Sequence, residues 1–300
     1  YLQTSSTNII CGRLARRYVL CHLQADVPYS VGERCGAMNS KWKDKWALVT
    51  GASAGIGKAL AKELASGGAN LVLTARRRER LGLLAQELRE KYNIKTEIFP
   101  ADLTQTSAPE ELYRFTESRA LAIELLVNNA GFGQYGEFHT ITPQRLLEMV
   151  QLNCGAVLHL TRLYLPQMAA RRSGDVLIVS STAAFQAVPY ISTYAATKVF
   201  DLFLAEGLAE EMKPYGIRVC GLCPGTTASE FHEVAGHPAH SKGREQSAEV
   251  VARNGLRALA AGKSYVISGL GNYLGAQGER LVPRRLVTRI AAKIFRPNND

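Results

Sequence analysis

Short runs of Val, Leu and Ile alternate with longer helical patterns along most of this chain, and that alternation leaves few architectures open. Apolar runs fall at 46–50, 70–74, 95–99, 124–127, 175–180, 216–222 and 264–267. Helical patterns fall between them, near 55–67, 79–91, 108–119, 143–172, 193–213 and 247–261. The runs are apolar at nearly every position rather than at every second one, as strands covered by helices on both faces require. The pattern predicts an α/β fold, a doubly wound parallel sheet of about seven strands in a single Rossmann-type domain. Ser107, Thr142, Ser192 and Ser247 stand near helix starts, and Gly67 and Gly262 near helix ends. No run reaches the ~18 apolar residues of a membrane-spanning helix.

The formal charge of +10 would suggest a nucleic-acid partner if it were spread over the fold. It is not: residues 1–45 carry +4 and residues 279–300 another +4, which leaves +2 for the body between them. No nucleic-acid partner is expected. Cys11, Cys21 and Cys35 precede the alternating region, and Cys154, Cys220 and Cys223 lie within it. Cys220 and Cys223, three apart on one strand, point to opposite faces of the sheet and cannot clasp one metal. They read as small buried residues of a protein in a reducing, cytoplasmic compartment.

Residues 1–37 show no convincing periodic element and are expected to be a poorly structured extension. Met38 reads as the initiator, with the residues before it belonging to an over-long reading frame. The rival is a transit-type presequence, because residues 1–25 hold three Arg, several Ser and Thr, and no acid. The domain proper is expected over 38–278, and residues 279–300 as a basic amphipathic C-terminal helix.

After the first apolar run comes Thr50-Gly51-Ala52-Ser53-Ala54-Gly55-Ile56-Gly57, at the start of a helical pattern. Glycines there let backbone approach a pyrophosphate, and the helix N-terminus offers free N–H groups. The spacing alone is weak evidence, but a strand before and a helix after make it a dinucleotide site. Gly51, Ser53, Gly55, Ile56 and Gly57 are the candidates. Arg76, Arg77 and Arg78 end the second run, and residues 74–78 contain no acid. An acid there would hold the ribose hydroxyls of NAD, whereas Arg accommodates the 2′-phosphate of NADP. Arg76 is the expected phosphate ligand with Ser53 as helper, and Arg77, Arg78 and Arg80 read as solvated first-turn residues. The expected cofactor is NADP(H).

Ser181 follows the fifth run, and Tyr194 and Lys198 stand four apart in the next helical pattern. That spacing puts both on one helix face, with the ammonium near the phenol. A Tyr with its pKa depressed by a cation can move a proton to or from a carbonyl oxygen. A Tyr-x3-Lys pair is expected by chance about 0.5 times in a chain of this composition, so its order after the glycine turn carries the weight.

Taken together, these elements resemble the short-chain dehydrogenase/reductase family over about residues 44–268. They are the turn at 50–57, Asp102-Leu103, Asn128-Asn129-Ala130-Gly131, Asn153, Ser181, Tyr194, Lys198 and Pro224-Gly225. The resemblance implies that Asp102, Leu103, Asn129, Ala130 and Gly131 border the cofactor, with Asp102 and Asn129 at the adenine and the central sheet. It makes Tyr194 the acid/base, Ser181 a hydrogen-bond partner of the substrate oxygen, and Lys198 the holder of the nicotinamide ribose. Asn153 would keep a water-linked proton relay through a bend in its helix, and Pro224 and Gly225 would border the nicotinamide. Thr226-Thr227-Ala228-Ser229 departs from the usual pattern, so which hydroxyl meets the carboxamide stays open, with Thr227 as the choice. The resemblance also implies a homodimer or homotetramer.

Substrate choice is expected in 132–135, 182–190 and 226–246. Phe132, Tyr135, Phe185, Val188 and Tyr190 there favour an apolar or aromatic carbonyl compound. His232, His237 and His240 raise the question of a metal, but no Cys or acid stands at zinc-like spacing, and none is expected. The expected activity is reduction of a lipophilic ketone, whether 3-oxoacyl, steroid-like or aromatic, or oxidation of the matching alcohol. Dehydrogenation of small polar hydroxy acids or sugars, and cofactor sensing without turnover, are the alternatives. The helix at 283–296 has Leu286, Val287, Ile290, Ile294 and Phe295 on one face among basic groups. It is expected to pack on its own body or on a second subunit, with peripheral contact to an anionic membrane as the rival.

Overall fold

Each apolar run becomes a strand: β1 (Trp46–Thr50), β2 (Asn70–Ala75), β3 (Thr96–Pro100), β4 (Ile123–Asn128), β5 (Gly174–Val179), β6 (Ile217–Cys223) and β7 (Tyr265–Ile267). Predicted and observed ends differ by no more than one residue. The computed structural model describes residues 39–231, 235–236 and 245–297. The extension over 1–37, Met38, His232, His237 and His240 lie outside the described residues. The strands form one seven-stranded sheet in the order β3-β2-β1-β4-β5-β6-β7, parallel at every pairing. The chain winds outward from β1 to β3 and then returns to the other side of β1. The strand order therefore reverses between β1 and β4, and a crevice opens at their carboxyl ends.

The helices are α1 (Gly55–Ser66), α2 (Arg78–Tyr92), α3 (Ala108–Ser118), α4 (Pro143–Val150), α5 (Val157–Arg171), α6 (Ser192–Met212), α7 (Ala248–Ala260), α8 (Leu270–Gly278) and α9 (Arg284–Ile294). Alternate strand residues serve two cores, which explains why the runs had to be apolar throughout. Val49, Leu73, Val127, Leu177 and Leu222 pack with α1, α2 and α7. Leu48, Val72, Leu126, Val176 and Val219 pack with α3, α5 and α6 on the opposite face. Cys220 and Cys223 fall in different clusters, as their spacing required.

The long helix expected over 143–172 is interrupted. Residues Gln151–Ala156 form a π-turn between α4 and α5, where one extra residue is accommodated around Asn153. The predicted boundary residues also behave unevenly. Thr142 and Ser247 accept a capping hydrogen bond, Ser107 does not, and Ser192 is the first residue inside α6 rather than its cap. Beyond α1 the left-handed position is taken by Gly68, at φ +82°, not by Gly67.

Candidate active site

The crevice is fixed by one hydroxyl. Thr50 ends β1, and its Oγ1 donates to the Val127 carbonyl at 3.2 Å while accepting the Asn129 and Ala130 N–H groups at 2.9 Å each. Asn129 reinforces the clip by donating from Nδ2 to the Thr50 carbonyl at 2.8 Å. β1 and β4 are thereby tied together at the point where the strand order reverses.

The glycine turn lies against this clip with no space for side chains. A Cβ on Gly51, whose φ is +66°, would fall 2.7 Å from Asn129 Nδ2, and one on Gly57 would fall 2.3 Å from the Gly51 carbonyl oxygen. No side chain caps the first N–H groups of α1. Bare backbone and a helix N-terminus facing one crevice fit a pyrophosphate, and with it a dinucleotide.

Of the catalytic and cofactor-binding residues singled out in the sequence, all but Asn153 line a single cleft of about 450 Å³: Gly51, Ser53, Gly55, Ile56, Gly57, Arg76, Asp102, Leu103, Asn129, Ala130, Gly131, Ser181, Tyr194, Lys198, Pro224, Gly225 and Thr227. Asp102 accepts hydrogen bonds from the Thr104 N–H at 3.0 Å and from its hydroxyl at 2.9 Å. Thr226 and Thr227 both reach the cleft, and Thr227 donates to the Gly225 carbonyl at 3.0 Å. Asn153 is buried behind the cleft as a brace. Its Oδ1 accepts the Phe132 N–H at 3.1 Å, and its Nδ2 donates to the Phe132 carbonyl and to Thr197 Oγ1 at 3.0 Å each.

The arginines depart from expectation. Arg76 is exposed at the cleft edge, but Arg77 is not merely solvated. It donates to Ser53 Oγ at 3.0 Å and to Glu230 at 2.7 Å, and Arg80 reaches the other Glu230 oxygen at 2.5 Å. The two guanidiniums hold the Glu230 carboxyl below the usual carboxylate range. Sequence reading missed this contact because Glu230 lies some 150 residues along the chain from Arg80.

At the other end of the cleft, Ser181 starts a single turn after β5, its Oγ accepting the Ala183 N–H at 3.1 Å. The Ser181 hydroxyl also favours the charged form of the Tyr194 phenol. Lys198 Nζ lies 5.8 Å from the Tyr194 ring centre and donates to the Val179 carbonyl at 2.9 Å. Burial in the cleft outweighs the pull of Lys198 and Ser181, so the phenol stands above its ordinary value of 10.0 rather than below it. A second, unforeseen group opposes the cation: Asp201, whose carboxylate lies 2.8 Å from Lys198 Nζ.

Several apolar side chains also face the cleft. Phe132, Leu152, Ile191, Phe231 and Phe295 line it, and the Phe231 ring sits 5.1 Å from that of Tyr194. Of the expected lining residues in 182–190, only Thr182 and Ala183 face the cleft. Val188 is buried, and Phe185 packs against Tyr265 at 6.3 Å, because both complete the packing behind the loop. Tyr135 contributes indirectly, its hydroxyl donating to the Phe295 carbonyl at 2.9 Å. Phe295 itself arrives from the end of α9, and nothing in the local sequence marks it.

A family model for short chain dehydrogenases matches residues 45–238. The chain belongs to that family. Among curated short-chain dehydrogenase relatives, the very-long-chain 3-oxoacyl-CoA reductase of Anas platyrhynchos is 35% identical over 196 residues, 63% of this chain and 62% of that protein. The one from Bos taurus is 33% identical over 212 residues, 69% of this chain and 66% of that protein. The matched stretch thus falls just short of two thirds of either relative. Among solved structures, a short-chain dehydrogenase from Sphingobium yanoikuyae in complex with NADPH superposes with a TM-score of 0.73 at 28% identity, covering 85% of this chain and 98% of that one. A bulky-bulky ketone specific alcohol dehydrogenase from Comamonas testosteroni gives a TM-score of 0.69 at 28% identity, covering 85% and 96%.

Proposed function

We propose that this short-chain dehydrogenase is an NADPH-dependent reductase of lipophilic ketones, with a 3-oxoacyl thioester as the first substrate to test. One observation carries the reading: Tyr194, with Ser181 and Lys198, opens onto a wall made of Phe132, Phe231 and Phe295, in the same cleft as the glycine turn. The names of the duck and bovine relatives agree with a 3-oxoacyl substrate, and the Sphingobium structure holds NADPH.

Arg76 presents a guanidinium where a 2′-phosphate would lie, Arg77 beside it is paired with Glu230 and bonded to Ser53, and residues 74–78 carry no acid to hold a bare ribose. When bound, the reduced nicotinamide supplies the hydride that adds to the carbonyl carbon. The chain does the rest. Ser181 donates a hydrogen bond to the carbonyl oxygen and orients it, and Tyr194 Oη delivers the proton that turns it into a hydroxyl. Lys198 spends two of its three N–H groups on Val179 and Asp201, which leaves one for the nicotinamide ribose. The aromatic residues give an apolar substrate a surface to lie against beside the reacting carbonyl.

The test is NADPH consumption against 3-oxoacyl thioesters, steroid ketones, aromatic ketones and small keto acids, with NADH in parallel. Turnover of the apolar compounds that falls about 10²–10⁴-fold in Tyr194→Phe, with NADPH binding unchanged, is the expected result. Turnover confined to keto acids would move the substrate to the polar class. NADPH binding without any turnover would make the protein a sensor.

Two surfaces bear on where the enzyme works. Among the described residues no helix is long and apolar enough to cross a membrane. On α9, Leu286, Ile290 and Ile294 are exposed and only Ala291 is fully buried, so most of its apolar face does not pack on its own body. With Arg285, Arg289 and Lys293 alongside, that face suits an anionic lipid surface. On α4, α5 and α6, exposed Leu147, Leu158 and Phe203 suit a second copy of the chain.

A further inference from the structure

Lys198 and Asp201 form an ion pair sealed inside the protein. Lys198 is 5% exposed and Asp201 0%, with Nζ 2.8 Å from Oδ2. The other carboxylate oxygen, Oδ1, is buried without a hydrogen-bond partner. Orphaning a carboxylate oxygen is costly, and an apolar residue at position 201 would avoid that cost. A group kept at such expense calls for a role, and its only ion-pair partner among the described residues is Lys198.

An ammonium in such a place tends to lose its proton, because burial favours the neutral amine. The titratable groups facing Lys198 are few. Tyr194 and Asp201 lie on its own helix, and Cys154 lies on the π-turn. Cys223, at the end of β6, also feels it. Glu206 acts on Cys223 rather than on Lys198. Burial pushes the thiols of Cys154 and Cys223 up to about 12, so both are uncharged at neutral pH. Burial also raises the Asp201 carboxyl above its ordinary value against the pull of Lys198, but its 2.8 Å contact with Nζ makes it the anion paired with Lys198. Burial pulls Lys198 down, but the pull of Asp201 turns its direction upward.

We infer that Asp201 is a positioning residue that keeps Lys198 an ammonium in its buried site and fixes it between the Val179 carbonyl and the Tyr194 phenol. The inference rests on the proposed reading of Tyr194 and Lys198, and it adds the group on which that reading depends. Without the carboxylate, Lys198 deprotonates as the pH rises. It then no longer favours the phenolate or grips the ribose, and both directions of the reaction fail together.

The experiment is Asp201→Asn, assayed from pH 6 to pH 10 with a 3-oxoacyl-CoA and NADPH, and with the matching 3-hydroxyacyl-CoA and NADP. Asp201→Glu and Tyr194→Phe run alongside. In Asp201→Asn the basic limb of both directions should move down by about one pH unit or more, and Asp201→Glu should restore it. Profiles that keep their shape and change only in height would make Asp201 merely structural. Oxidation that gains at neutral pH would place its influence on Tyr194 directly; either result overturns the inference. Full activity in Tyr194→Phe would overturn the catalytic reading instead. A second measurement needs no turnover: Lys198→Met, which strands the carboxylate, should lower the melting temperature, and adding Asp201→Asn should recover part of the loss. Additive losses would mean that the two groups are not coupled, and would sink the inference.

Discussion

Tyr194 is set by burial and by neighbours pulling in two directions, and its pH behaviour follows from the balance. Lys198 and Ser181 favour the phenolate, whereas burial and Asp201 favour the phenol and prevail. Reduction needs the phenol, because Tyr194 gives up its proton. A raised pKa therefore keeps the reactive form present through neutral and mildly alkaline pH, and it is lost only as the pH rises through that value. We expect kcat/KM for reduction to stay level up to about pH 10 and to fall beyond it; a limb centred near pH 7 to 8 would mean that another group controls the proton. Tyr194, Lys198 and Ser181 were legible in the sequence because their spacing and order carry chemistry by themselves. Asp201 was not, since an acid three residues after a lysine on a helix ordinarily marks a solvated ion pair. Arg77 was misjudged for the same reason: its role depends on Glu230, which only the fold brings near.

The strands and the helices between them were legible almost to the residue, because each strand has to feed two apolar cores and each helix only one; α8, over Leu270–Gly278, was not foreseen. The π-turn was not legible in the apolar periodicity of α4 and α5, which its extra residue leaves nearly undisturbed; a bend at Asn153 was expected only from the family resemblance. What the turn does is visible only in three dimensions, where Asn153 joins it to Phe132 and to Thr197 on α6. The joint between β1 and β4 is similar. Thr50 looks like the first residue of a glycine turn, yet its hydroxyl serves three backbone groups. Thr50→Val keeps the shape and strands the Asn129 and Ala130 N–H groups. We expect it to cost about 2 to 4 kcal/mol in denaturant unfolding and to weaken NADPH binding in parallel. A loss within about 0.5 kcal/mol, the range of an ordinary surface substitution, would show that the clip is dispensable.

For the molecule as a whole, the open question is what meets α9. If its exposed face seeks anionic lipid, the protein should float with vesicles containing phosphatidylserine and not with neutral ones. Ile290→Glu with Ile294→Glu should abolish flotation while leaving turnover of a soluble ketone intact. Equal flotation with neutral vesicles, or none with either, would return the helix to a role between subunits, which sedimentation at several concentrations would detect.

The end of α9 is coupled to the cleft. Phe295 is part of the cleft wall and its carbonyl is held by Tyr135, so any docking that drew α9 away from the body would pull one side of the cleft open with it.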